Sequence, residues 1–193
     1  MYDCFIEVRR MARKETITRD ILINTAFELL QQEGIEQVTA RKLAAKAGCS
    51  TQPIFRLYKN MEELQAELYE KMILFFEAYY MQFPVKEDTP FVNLGLAYIH
   101  FAEIEKNLFK ALFLSSERGG KSLYELLNGT SGSVVKEINK AKALGSSNAS
   151  ELFMKMWIFI HGAACMVITG DYDLSESETM ELLKDSYLAY TRK

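Results

Sequence analysis

The sequence predicts an all-α protein, a small three-helix head followed by a larger helical bundle, with about nine helices in all. Three observations predict it. Apolar residues recur at spacings of three and four along most of the 193 residues, and no alternating stretch is long enough to argue a sheet. The three prolines, Pro53, Pro84 and Pro90, fall where a helix begins or ends on other grounds. The glycines cluster, leaving long runs with no strong breaker between them.

The elements follow in order. Thr16 or Thr18 caps a first helix that runs to Glu33, with Ile17, Ile21, Ala26, Leu29 and Leu30 at helical spacing and Gly34 as its stop. Thr39 is the N-cap of a second, short helix over 40–47, whose inner stripe is Leu43, Ala44 and Ala47. Gly48 ends it, Cys49 is read as a small buried plug in the turn, and Ser50 as the cap of a third helix reaching Leu57. Pro53 falls in that helix's first turn, where a backbone N–H has no intrahelical partner to lose. Asn60 with Glu63 three residues on resembles a capping box. It opens a fourth helix through Leu64, Leu68, Met72, Phe75, Phe76 and Tyr79 to the break at Phe83-Pro84. Further helices are expected at 89–105, 107–115, 121–143, 150–169 and 175–191, the run Asn128–Ser133 being the weakest segment. The expected division is an N-terminal extension 1–11 without fixed structure, a head 12–60 and a body 61–193.

Composition narrows the function. Residues 1–60 hold ten Lys/Arg against seven Asp/Glu, whereas the remainder holds 13 against 19. A slightly basic head on an acidic body suits a nucleic-acid partner, because phosphate contact supplies most non-specific affinity. Cys4, Cys49 and Cys165 are odd in number and far apart, so they are read as thiols in a reducing cytoplasm, not as a disulfide framework or a metal site. The first ten residues lack the apolar core of a signal peptide, and the apolar run Trp157–Thr169 is shorter than the about 20 residues that span a bilayer, so no membrane partner is expected. With two histidines and no spaced carboxylate, Ser/His or metal-ligand constellation, neither an enzyme nor a bound metal or cofactor is expected.

The informative stretch is Val38–Leu64, VTARKLAAKAGCSTQPIFRLYKNMEEL. Two short helices joined by a tight Ala-Gly-Cys-Ser turn make a helix-turn-helix. Ala44 is small where the helices cross, Gly48 permits the positive φ of the turn, and Leu43 and Ile54 seal the core. The second helix then presents Thr51, Gln52 and Arg56 outward, all able to hydrogen-bond in a major groove.

This stretch resembles the TetR family of regulators. It matches the family pattern with unbroken spacing at Thr39, Leu43, Ala44, Ala47, Gly48, Ser50, Ile54, Phe55, Tyr58, Asn60, Glu62 and Leu64, and upstream at Ala26–Leu30 and Gly34. Three positions depart: Phe55 stands where the family usually has a phosphate-binding Tyr, Tyr58 replaces a Phe, and Met61 replaces a Lys whose role Lys59 is placed to take. The resemblance implies that Thr39 and Arg41 meet phosphates and that Thr51, Gln52, Pro53 and Arg56 face the groove, Gln52 as base reader. Ser50 sits at the same helix start, and Phe55, Tyr58 and Lys59 brace the DNA backbone. The partner so implied is double-stranded, pseudo-palindromic operator DNA.

The body is rich in aromatics and Met. Rings and flexible thioethers build a core that can leave a tunable apolar pocket. The expected ligand contacts are Phe76, Tyr79, Tyr80, Tyr98, Phe101, Phe113, Trp157 and His161, with His100 as a further polar group, and the expected ligand is small and hydrophobic. Trp157 and His161 lie one turn apart, and Trp157-Ile-Phe-Ile-His-Gly162 resembles the Trp-His-Gly pattern of one subclass of the family. The resemblance further implies a homodimer through the last two helices, with Gly162, Cys165, Met180, Leu183 and Tyr187 in the interface. The function so implied is a repressor released from its operator by ligand. A ligand-binding module without operator affinity and a ligand-independent activator are the alternatives.

Overall fold

Local capping chemistry sets most of the helix starts. A computed structural model describes residues 17–116 and 120–191, and among them every regular element is helical. The expected extension 1–11, Cys4 and Thr16 lie outside the described residues. Thr18 opens α1 (Arg19–Glu33) by accepting the Ile21 N–H at 3.2 Å, and Gly34 closes it at φ +94°. Thr39 accepts the Lys42 N–H at the start of α2 (Ala40–Lys46). The third helix, α3, spans Gln52–Leu57 with Pro53 in its first turn.

The long helix α4 (Met61–Gln82) leaves the head and enters the body. Asn60 accepts the Glu63 N–H at 2.9 Å, as expected. The reciprocal half of the capping box is displaced by one residue: the Glu63 carboxylate takes the Lys59 N–H at 2.7 Å. Phe83, just before Pro84, ends the helix, since a residue preceding proline is pushed out of helical geometry.

In the body, α5 (Val92–Ile104) starts after Phe91, held at φ +66° with its N–H on the Glu137 carboxylate at 2.5 Å. Helix α6 (Lys106–Phe109) widens over Lys110–Leu114 into a π-type turn, in which Ser115 N–H reaches back five residues to Lys110 O. Then come α7 (Leu123–Asn128), α8 (Ser133–Ala143), α9 (Ala149–Thr169) and α10 (Glu176–Thr191). The described residues therefore hold ten α-helices instead of about nine, because the expected helix 121–143 is broken. Gly129 and Gly132 both take positive φ, and Glu77 of α4 anchors the turn between them by accepting the Thr130 N–H and hydroxyl at 2.9 and 2.8 Å. A Cβ at Gly129 would stand 2.5 Å from the Glu77 carboxylate, so the break also needs glycine for space.

Helix α5 is the axis of the body. Its contacts are mainly with α9, then with α10 and α4. Gly95 lets the helices close: a Cβ there would meet Leu183 of α10 and Ile160 of α9 at 3.0–3.1 Å. The head joins the body where α1 packs on α4 and α6. Gln31 of α1 donates to the Glu105 carboxylate, and Asn107 donates to the Gln31 carbonyl at 2.9 Å. Helix α9 is longer than the run Trp157–Thr169. At 21 residues with mean hydropathy 1.7 it meets the length and composition of a membrane span. One side of it, Phe153, Trp157, Ile160 and Ala164, is nonetheless buried in the body's core.

Candidate nucleic-acid interface

The head is a shallow aliphatic core with a polar outer helix. Leu22, Ala26 and Leu30 of α1 meet Leu43 of α2 and Ile54 of α3, all fully buried. The turn between α2 and α3 passes through Gly48 at φ +66°, and Cys49 N–H bonds to Ala44 O. Two local expectations fail. Thr51, not Ser50, precedes α3, and it makes no side-chain cap because its own backbone is already helical, at φ −71° and ψ −17°. Cys49 is half-buried at the head's surface, not a sealed plug.

Sealing Ile54 inward turns the opposite side of α3 to solvent. Thr51, Gln52, Phe55 and Arg56 are exposed there, and Pro53 is half-buried at the helix start. Thr39, Arg41, Ser50 and Lys59 are exposed around it. Among the described residues Arg41, Arg56 and Lys59 have no ion-pair partner, whereas Lys42 is tied to Glu33 at 2.5 Å and Lys46 to Glu28 at 3.6 Å. A sequence count of basic residues cannot separate these groups, because the pairs join different helices.

Tyr58 corrects an expectation. It is 1% exposed, and so is part of the core and not a brace for a DNA backbone. The Arg19 guanidinium lies 4.3 Å over its ring and also reaches Glu63 at 2.5 Å and Glu67 at 3.5 Å. Burial pushes the Tyr58 hydroxyl's pKa up. The Lys59 N–H, then Arg19, holds the Glu63 carboxyl below its usual range. The sequence alone assigns nothing to Arg19; its signal is a cation directly after a Thr cap, which is too common to single out.

In the body, most of the side chains expected to line a ligand cavity pack against one another. Tyr98 is fully buried, with the rings of Phe113 and Trp157 both 4.8 Å away and Phe109 at 5.0 Å. Phe76 lies 5.0 Å from both Phe101 and Phe113. Edge-to-face rings at these distances are tight packing. His161, half-buried, shares a hydrogen bond with the Tyr98 hydroxyl at 3.0 Å. Tyr79 and Tyr80 are half-buried at the edge. Burial is the main cause lifting both hydroxyls to a pKa of about 12. A separate cavity of about 220 Å³ lies between α5, α9, the 170–175 link and the start of α10, and of the polar side chains expected in a pocket only His100 is in its wall.

The expected pairing surface divides by face. Leu183 and Tyr187 point inward, Leu183 onto Gly95 and Tyr187 toward the Phe91 ring at 6.5 Å. Both belong to the single chain's core, since i, i+4 spacing identifies a shared face without telling which neighbour it meets. Cys165 and Met180 are half-buried, and Gly162 is exposed. The apolar residues left outside include Ile158 and Met166 on α9 and Leu182 and Leu188 on α10; Ile158 is 66% exposed.

Residues 22–68 match the family model for bacterial regulatory proteins of the tetR family. No curated protein matches the sequence. Solved structures similar to the chain include a protein from Vibrio parahaemolyticus assigned as a TetR-family transcriptional regulator, at 21% identity and TM-score 0.63, covering 89% of this chain and 97% of that one. One from Rhodococcus sp., assigned to the same family, has 15% identity and TM-score 0.62 over 90% and 98% of the two chains. A TetR-like transcriptional regulator from Rhodococcus sp. RHA1 has 14% identity and TM-score 0.61, over 89% and 94%. The head, over residues 22–68, is thus similar to that of the tetR family of bacterial regulators, and nearly the whole chain shares the fold of the solved structures.

Proposed function

We propose that the chain is a transcriptional repressor that binds pseudo-palindromic operator DNA as a homodimer and is released by a small ligand. The observation that carries the reading is the outer face of α3. Thr51, Gln52 and Arg56 are exposed on a helix whose other side is sealed by Ile54. Gln52 offers the paired donor and acceptor that read adenine, and Arg41, Arg56 and Lys59 supply unpaired cations for phosphates. Phe55 has no hydroxyl for a phosphate, so its exposed ring serves as an apolar contact.

A two-fold dimer sets two such helices about 34–36 Å apart, one turn of the duplex. Its interface is assigned to the outward faces of α9 and α10, around Ile158, Gly162, Met166 and Leu188, where small and apolar side chains remain uncovered. Release follows from α4. Its first turn is tied to the head through Glu63, and its last turns carry Phe76 and Tyr79 into the body. A ligand that prefers a tilted α4 separates the two heads, with a coupling of about 1–3 kcal/mol in typical cases.

The test is a mobility shift on the chain's own upstream region beside random duplex. Gln52→Ala is expected to weaken the specific complex by about 1–3 kcal/mol and to leave random DNA unaffected. Equal losses on both duplexes remove Gln52 from base reading, and no retention of the upstream region overturns the repressor reading.

A further inference from the structure

The cavity of about 220 Å³ under the junction of α5, α9 and α10 belongs to neither the aromatic core nor the outer face of α3. Its volume is below the range of about 300–1,000 Å³ that holds drug-sized molecules, so its occupant is smaller. Leu96, Ile99 and Val167 give it an apolar lining, and Tyr172 and His100 also stand in its wall. Thr179 does not offer a free hydroxyl, being bonded to the Tyr172 hydroxyl at 2.8 Å.

The charges on the rim differ in what they already hold. Glu176 is neutralised by Lys86 at 2.5 Å. Glu103 has no cation within ion-pair distance among the described residues, and neither does Lys106 have a carboxylate. Tyr79 is bonded to His100 at 2.5 Å, and of the two carboxylates in the cavity wall Glu103 is the one that no cation already holds. An ammonium group set against Glu103 is stabilised there by the carboxylate.

We propose that this cavity binds a small organic cation, a primary amine on a compact apolar body, with its ammonium at Glu103 and its apolar part on Leu96, Ile99 and Val167. The site is placed to affect the head. His100 in its wall holds Tyr79 of α4. Lys106 in its wall lies between Glu105 and Asn107, the two residues that hold Gln31 of α1. That consequence rests on the DNA-binding reading above, whereas binding itself does not.

Calorimetric titration of the full chain, without DNA, with benzylamine, benzyl alcohol and benzoate tests the site. Benzylamine is expected to bind up to about fivefold more tightly than the other two, the upper reach of a single exposed charge pair. Glu103→Gln is expected to bring benzylamine to the level of benzyl alcohol, and Lys106→Gln to tighten it about twofold. Both side chains are exposed, so neither variant threatens folding. The His100 ring protons are expected to shift in NMR spectra on adding benzylamine. Equal binding of the three probes, tighter binding of benzoate, no binding of benzylamine, or unshifted His100 signals each overturn the proposal. A chain that binds benzylamine but no operator refutes the repressor reading alone.

Discussion

The head and the body use their chemically distinctive residues in opposite ways. In the head, aliphatic and small side chains form the core, and the hydrogen-bonding residues of α3 are left in solvent. In the body, the distinctive rings are themselves the core: Tyr98, Phe101 and Phe113 are as buried as any leucine, and what faces solvent on α9 is Ile158, Gly162 and Met166. A motif whose spacing fixes both the fold and the exposed face reveals function directly. A run of aromatics fixes only that the residues are buried, and burial against one another differs from burial around a ligand.

This contrast breaks most visibly at Tyr98. Tyr98→Ala removes a ring touching Phe113, Trp157 and Phe109 and the hydroxyl bonded to His161, so it is expected to destabilise the chain by about 3–5 kcal/mol in urea denaturation. A loss under about 1 kcal/mol would mean the rings already surround a void and would restore the cavity reading of the core. Next in size is Ile158→Glu, which sets a charge at the centre of the uncovered α9 face without touching the core. It is expected to weaken self-association at least tenfold, about 1.4 kcal/mol, in sedimentation, with the melting temperature of the monomer unchanged. An unaffected dimer moves the interface off α9. Leu183→Glu cannot make this test, because Leu183 is fully buried inside the chain.

How much was legible follows from how local the cause is. Thr18, Thr39, Gly48 and Asn60 act within four residues of themselves, and each does what its spacing predicts. The break at Gly129–Gly132 was visible as a weak segment, but its fixing partner Glu77 is more than fifty residues away. The exposed set on α3 followed from Ile54 pointing inward. The burial of Tyr58 beneath Arg19 did not, because an aromatic at a helix end packs inward or outward according to what lies above it. The same reasoning separates Leu183 from Leu182: one position along α10 decides between the core and a free surface, and the apolar pattern alone accepts either.

The finest distinction between the two regions is electrostatic. The link between α1, α3 and α4 depends on Glu63, which accepts the Lys59 N–H and pairs with Arg19, while the body's core is joined mainly by packed rings. The Glu63 carboxyl is held below its usual range by that N–H first and by Arg19 second. A carboxyl depressed in the folded state binds its proton more readily when unfolded. Its contribution is therefore present above the ordinary carboxylate range, about pH 4.5, and fades as the pH falls through the lower folded value. Glu63→Gln cannot titrate, so the variant is expected to be slightly less stable near pH 7 and to lose less stability between about pH 5 and pH 3.5 than the parent does. Urea midpoints of both proteins at the two ends of that range measure the difference. Parallel pH dependence in the two would place the acid sensitivity of the chain elsewhere and reduce Glu63 to a cap whose charge the solvent screens.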